Sequence, residues 1–181
     1  MSWLIAAWVA SGAWARVPAL AARLPAPDAA AELARTTRAL ADDPIVRDKL
    51  EPEPDVVAAA RAACRRTALA TGPVDVRLDA MECAVNLGDA TIAGLLLHVS
   101  DPEVRAGAAG LAPREELPDL VLLDPAPLAA AAAAAALCGA DPAGAMARLG
   151  DEGRAKLRLL FANVGLDPGH RRAIQGCLRT K

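Results

Sequence analysis

The sequence contains no tyrosine and one phenylalanine, Phe161, and its three tryptophans, Trp3, Trp8 and Trp14, all lie near the start. Such scarcity argues against an all-β domain, whose sheets lean on aromatic and β-branched side chains. Histidine is almost as rare, with His98 and His170 alone. No glycine-rich loop of the G-x-x-x-x-G-K-[ST] or G-x-G-x-x-G kind occurs, so a phosphate cradle of either type has no sequence basis. None of the four cysteines belongs to a C-x-x-C pair, so a zinc site lacks its usual signature. No cofactor or metal is expected. The formal charge is −2, and the two halves are similarly balanced, which gives no strong nucleic-acid signal.

What is present is alanine, 46 residues of it, with 25 leucines in a chain of 181. That length makes one domain or one compact stretch of a repeat array, taken here as a single domain over 1–181. The composition fits helices packed at close range. Proline or glycine punctuates nearly every boundary, as helix starts and stops require. The spacing predicts helices over 29–41, 56–69, 76–87, 90–99, 103–111, 114–123 (disturbed by Pro118), 126–138, 142–149, 152–164 and 168–179. Asp43-Pro44 reads as the cap of a further short segment, and residues 51–54 (EPEP) as a stiff acidic linker. No alternation of polarity lasts long enough for a strand, and the fold class is all-α.

Residues 3–15 form an apolar run too short to span a bilayer as a helix, so no membrane span is expected. Ile5, Trp8 and Val9 fall at the spacing of one buried helical face. A secretory signal ending at Ala13-x-Ala15 or Ala19-x-Ala21 is the competing reading, although no basic residue precedes the run. A membrane anchor is the third. Cys64, Cys83, Cys138 and Cys177 read first as small buried hydrophobes. Cys64 and Cys83 lie on successive helices and Cys138 and Cys177 on two later ones, so two bridges are also conceivable. The preferred location is the cytoplasm. A signal in residues 1–21 would make it the periplasm or the exterior, and would favour the bridges.

Internal similarity outweighs any single motif. Val76-Arg77-x-x-Ala80 recurs as Val104-Arg105-x-x-Ala108, and Cys83-Ala84 then falls on Leu111-Ala112; Ile45-Val46-Arg47 is a looser copy. Asp101 suits a helix cap, Pro102 a first turn where a missing N–H costs nothing, and Val104 the core. Arg105 lies in a first turn that the helix dipole makes unfavourable for a cation, so a specific partner is expected, such as Asp79.

Leu87-Gly88-Asp89 followed by Asp101-Pro102-x-Val104-Arg105 resembles a HEAT-like (armadillo-type) helical repeat. Ala6 to Ala13 and Val17 to Leu24 resemble the two helices of a first such unit, with Val17, Leu20 and Leu24 in the roles of Ile92, Leu95 and Val99. Asp151-Glu152-Gly153-Arg154 resembles a degenerate copy. The resemblance implies an α-solenoid of HEAT-like hairpins, about four to six repeats. It further implies a non-catalytic protein-binding or scaffolding role, with another protein as partner. The alternatives are a HEAT-like enzyme or accessory subunit, such as a lyase, and an exported envelope protein stapled by Cys64–Cys83 and Cys138–Cys177. A HEAT-like DNA glycosylase would need aromatic rings along a basic groove, and after residue 14 only Phe161 is aromatic.

Catalytic candidates are thin. His98 reads as a residue capping helix-terminal carbonyls, and His170 as solvated. Glu115-Glu116 and Glu51-x-Glu53 read as solvated acidic turns, and nothing in the spacing pairs Cys83 or Cys138 with a histidine. One charge asymmetry stands out. Residues 154–181 carry seven basic residues against the single acid Asp167. Arg154, Arg158, Arg171 and Arg172 are therefore candidates for binding an acidic partner, against the alternative of a polar outer cap.

Overall fold

A computed structural model describes the backbone of residues 2–42 and 53–180, with side chains from residue 12 onward. Among the described residues there are ten helices and no strand. The cap expected at Asp43-Pro44, the copy at Ile45-Val46-Arg47 and Glu51 lie outside the described residues. No helix among the described residues is long and apolar enough to cross a membrane. The chain divides into two compact units, Met1–Ile92 and Ala93–Lys181.

The first unit holds α1 (Ser2–Ala22), α2 (Pro27–Asp42), α3 (Pro54–Leu69) and α4 (Val74–Asn86). Helix α1 packs on α2 and α3, and α4 packs on α2 and α3. Two helical hairpins thus stack in two layers, α1 over α3 and α2 over α4. One continuous helix occupies residues 2–22, where two were expected. Pro18 is carried inside it, although an interior proline removes a helix hydrogen bond. Val17 and Leu20 are buried on either side of Pro18. Leu24, matched to them by the repeat reading, lies beyond the helix end and is half-buried.

Between α2 and α4 the contact is mixed: Asn86 Nδ2 donates to Thr37 Oγ1 at 3.4 Å, and Arg38 pairs with Glu82. Helix α4 ends in a reversal that Gly88 makes possible, at φ 89°. The Gly88 amide donates to the Val85 carbonyl and the Asp89 amide to the Ala84 carbonyl, the paired bonds of a Schellman ending. Asp89 then accepts from the Thr91 amide and hydroxyl and from Arg65, the last at 2.6 Å. Leu87-Gly88-Asp89 is therefore a helix stop fastened to α3.

The second unit begins with the short α5 (Ile92–Leu96), whose first residue closes the first unit, and α6 (Pro102–Ala109). It continues with α7 (Leu117–Leu123), α8 (Pro127–Ala140), α9 (Pro142–Ala162) and α10 (Pro168–Arg179). Here α7 pairs with α8 and α9 with α10, while α7 also lies on α9 and α8 on α10. The two-layer pattern of the first unit recurs. Helix α8 is its centre, touching α6, α7, α9 and α10. Ala129 to Ala134, Leu137 and Cys138 are all buried. A helix apolar on every side belongs inside, and alanine lets four neighbours approach without the large rings the sequence lacks.

The region expected as a helix over 90–99 forms helix only at Ile92–Leu96, and Leu95 faces solvent at 42 % exposure. Pro118 does not disturb α7; it sits in the first turn, where no N–H is needed. Helix α9 carries a break at Gly150 (φ 62°, ψ −158°), so its two arms match the helices expected over 142–149 and 152–164.

Each unit contains one disulfide. Cys64 is joined to Cys83 across α3 and α4, and Cys138 to Cys177 across α8 and α10. All four cysteines are buried, as small hydrophobes would be, but they are paired and not free thiols.

Candidate functional site

The most connected polar residue of the second unit is Arg105. Asp101 caps α6 by accepting from the Glu103 and Val104 amides, Pro102 opens the helix, and Val104 is fully buried. This fixes Arg105 one turn in, with its side chain running back to the turn that precedes α6. Its Nη1 donates to the Val99 and Ser100 carbonyls, both at 2.8 Å. Its Nε and Nη2 donate to the two oxygens of Asp124 at 2.6 and 2.9 Å. The expected partner, Asp79, is not the one used; it lies in the first unit. Arg77, the counterpart of Arg105 in the sequence repeat, is also buried and donates to the Ala68 carbonyl at 3.0 Å. In both copies the arginine reaches back to carbonyls on the N-terminal side of its own helix, a helical one for Arg77 and two of the connecting turn for Arg105. The correspondence ends beyond that point, since Cys83 and Ala84 lie inside α4 whereas Leu111 and Ala112 follow the end of α6.

Asp124 is held from both sides, because its Oδ1 also accepts from the Ala126 amide at 2.7 Å. Burial alone would raise its pKa, but the Arg105 and Ala126 hydrogen bonds outweigh this and hold the carboxyl below its usual range. Asp124 is therefore an anchored carboxylate, poorly suited to accept a proton at neutral pH.

Beside this anchor lies a cleft of about 580 Å³. Buried Leu97 and Leu120 contribute its apolar wall, Leu123 stands on its lip at 74 % exposure, and Glu115, Glu116 and Asp119 supply charge. Gly94 belongs to the same arrangement: a Cβ there would come within 2.7 Å of the Glu116 carboxylate oxygens. His98 also lines the cleft and is exposed. A smaller cleft of about 200 Å³ shares Asp124 and is lined by Pro125, Pro127, Lys156, Leu159 and Asn163, with Leu159 72 % exposed. The only cation paired with the cleft acids among the described residues, apart from Arg105, is Arg148, which is 3.7 Å from Glu115 in a solvent-exposed contact. Such a pair offsets little charge.

The basic C-terminal residues separate into two kinds. Arg154 donates to the Thr180 carbonyl at 3.1 Å. Arg171 donates to the Phe161 and Asn163 carbonyls at 3.0 and 2.7 Å and lies over the Phe161 ring. These two fasten α9 and α10 as an antiparallel hairpin. Arg158 and Arg172 are exposed, Arg172 donating to the Pro168 carbonyl of its own helix. Two of the four, Arg154 and Arg171, are thus taken up in hydrogen bonds within the hairpin.

The thiols considered as nucleophiles, Cys83 and Cys138, are both in disulfides. The sequence reading missed Asp124 as an anchor and the leucines beside it. A usable signal was present in Asp124-Pro125, which repeats the Asp-Pro pairing of Asp101-Pro102. Compared with known proteins, the chain matches no family model, no curated protein and no solved structure.

Proposed function

We propose that this chain is a non-catalytic protein-binding module of HEAT-like helical hairpins that works in an oxidising compartment. The observation carrying the binding role is the cleft beside the Arg105–Asp124 pair. Exposed Leu123 and Leu159 stand next to an anchored, ion-paired carboxylate, which suits adhesion better than proton transfer. Stacked hairpins in each unit and the shared behaviour of Arg77 and Arg105 support the HEAT-like reading. The two disulfides support export over the cytoplasmic location that composition alone favours, because such bonds persist mainly outside reducing compartments.

Site-specific photo-crosslinking in the native host tests the binding role. A photoreactive residue at Leu123 should yield a discrete protein adduct, and one at exposed Leu69 in the first unit should not. Equal labelling from both positions, or none from Leu123, would contradict it.

A further inference from the structure

The two clefts adjoin at Asp124. Glu115, Glu116, Asp119 and His98 line the larger one together with exposed Leu123, and Lys156 and exposed Leu159 line the smaller. Asp124 contributes no free charge because Arg105 neutralises it, and Arg148 offsets Glu115 only across 3.7 Å of exposed contact. His98 is the remaining titratable group on the wall. The charged lining of the larger cleft is therefore net negative, while exposed Leu123 on its lip is apolar.

From this charge complementarity we infer that the larger cleft, with the smaller one adjoining it at Asp124, takes a basic, leucine-bearing segment of a partner protein. Its lysines or arginines meet Glu116 and Asp119, and its apolar side chains cover Leu123 and Leu159. The inference rests on the binding role proposed above and adds the chemistry of the partner. An acidic or purely apolar segment would leave the carboxylates desolvated and unpaired, which is costly. The exposed Arg158 and Arg172 do not line either cleft.

A fluorescein-labelled synthetic amphipathic peptide of lysine and leucine is a suitable probe, followed by anisotropy at moderate salt against the full chain with disulfides intact. The peptide should bind, and its counterpart with glutamate for lysine should not. Glu116→Gln/Asp119→Asn should weaken binding by about tenfold, and Leu123→Asp should weaken it at least as much. Asp55→Asn/Asp75→Asn removes the same charge from exposed positions of the first unit and should leave binding unchanged. Circular dichroism would confirm that each variant is folded. Equal loss in the control variant would mean attraction to net charge alone and would overturn the inference. So would binding insensitive to the cleft substitutions, or no binding at all. A crosslinked partner at Leu123 together with failure of the peptide would leave the binding role standing and remove only the basic segment. Concentration-dependent self-association abolished by Leu123→Asp would identify a second copy as the occupant, and would equally overturn it.

Discussion

Arg105 and Asp124, nineteen residues apart, meet through two parallel hydrogen bonds with side-chain exposures of 11 % and 4 %. The pair joins the start of α6 to the loop between α7 and α8, while the remaining arginine donors close the carbonyls of Val99 and Ser100. Breaking a buried pair by removing one partner leaves an uncompensated charge. Asp124→Ala should therefore destabilise the chain by about 3–5 kcal/mol. Arg105→Lys should recover only part of the loss of Arg105→Ala, because an ammonium cannot reproduce the planar fork. Denaturant unfolding of the single and double variants checks both.

The same pair fixes a pH dependence. The Asp124 carboxyl titrates below its ordinary value of 3.8 when folded. Its stabilisation is complete above that unfolded value and is lost as pH falls through the lower, folded one. Asp89, lowered by Arg65 and Thr91 against the opposing effect of burial, acts in the same sense. Stability measured across the acid range should fall below about pH 3.8, and Asp124→Asn should flatten that fall.

Asp79 has the opposite sign. Burial first, then Glu82 and Asp75, push its pKa up despite Arg35 and Arg38. A raised carboxyl disfavours the folded state once ionised, so Asp79→Asn should raise the unfolding midpoint at neutral pH and have no effect well below pH 3.8. A lower midpoint at neutral pH would show that the carboxylate makes a contact worth more than its burial costs.

Helix caps give a fourth test. Asp101 accepts from the Glu103 amide at 2.9 Å, and Asp101→Ala should cost about 1 kcal/mol. Asp141 and Asp167 cap α9 and α10 in the same way, through Gly144 and through Gly169 and His170. Comparable losses at the three positions would mark the Asp-Pro pairs as one recurrent helix-start device.

Arg171→Ala should lower stability measurably, since its guanidinium holds the Phe161 and Asn163 carbonyls, whereas Arg158→Ala should not. Thermal unfolding of both variants separates the fastening cation from the exposed one.

Most helices were legible because punctuation and periodicity agreed. Asp101, Pro102 and Val104 each do what their residue types favour in a first turn. The misreadings share a cause, which is packing that sequence-local rules do not contain. Pro18 signals a break, yet α1 continues between buried Val17 and Leu20. Leu95 belongs to an apolar run, yet α5 is a single short turn and leaves it exposed. Asp124-Pro125 looks like another cap, but the next helix starts two residues later, at Pro127, and the freed carboxylate turns to Arg105. The cysteines read first as unpaired small hydrophobes, and the bridges only as conceivable, because pairing depends on which helices stack, and stacking of α8 on α10 is not written in spacing.

The proposed module is one whose two units are each covalently closed in an oxidising compartment. The intact mass of the protein from its native host, after alkylation with and without prior reduction, tests this most directly. The prediction is no alkylation before reduction, all four cysteines alkylated after it, and peptides linking Cys64 to Cys83 and Cys138 to Cys177. Four thiols that alkylate freely without reduction would contradict it and return the chain to the cytoplasm.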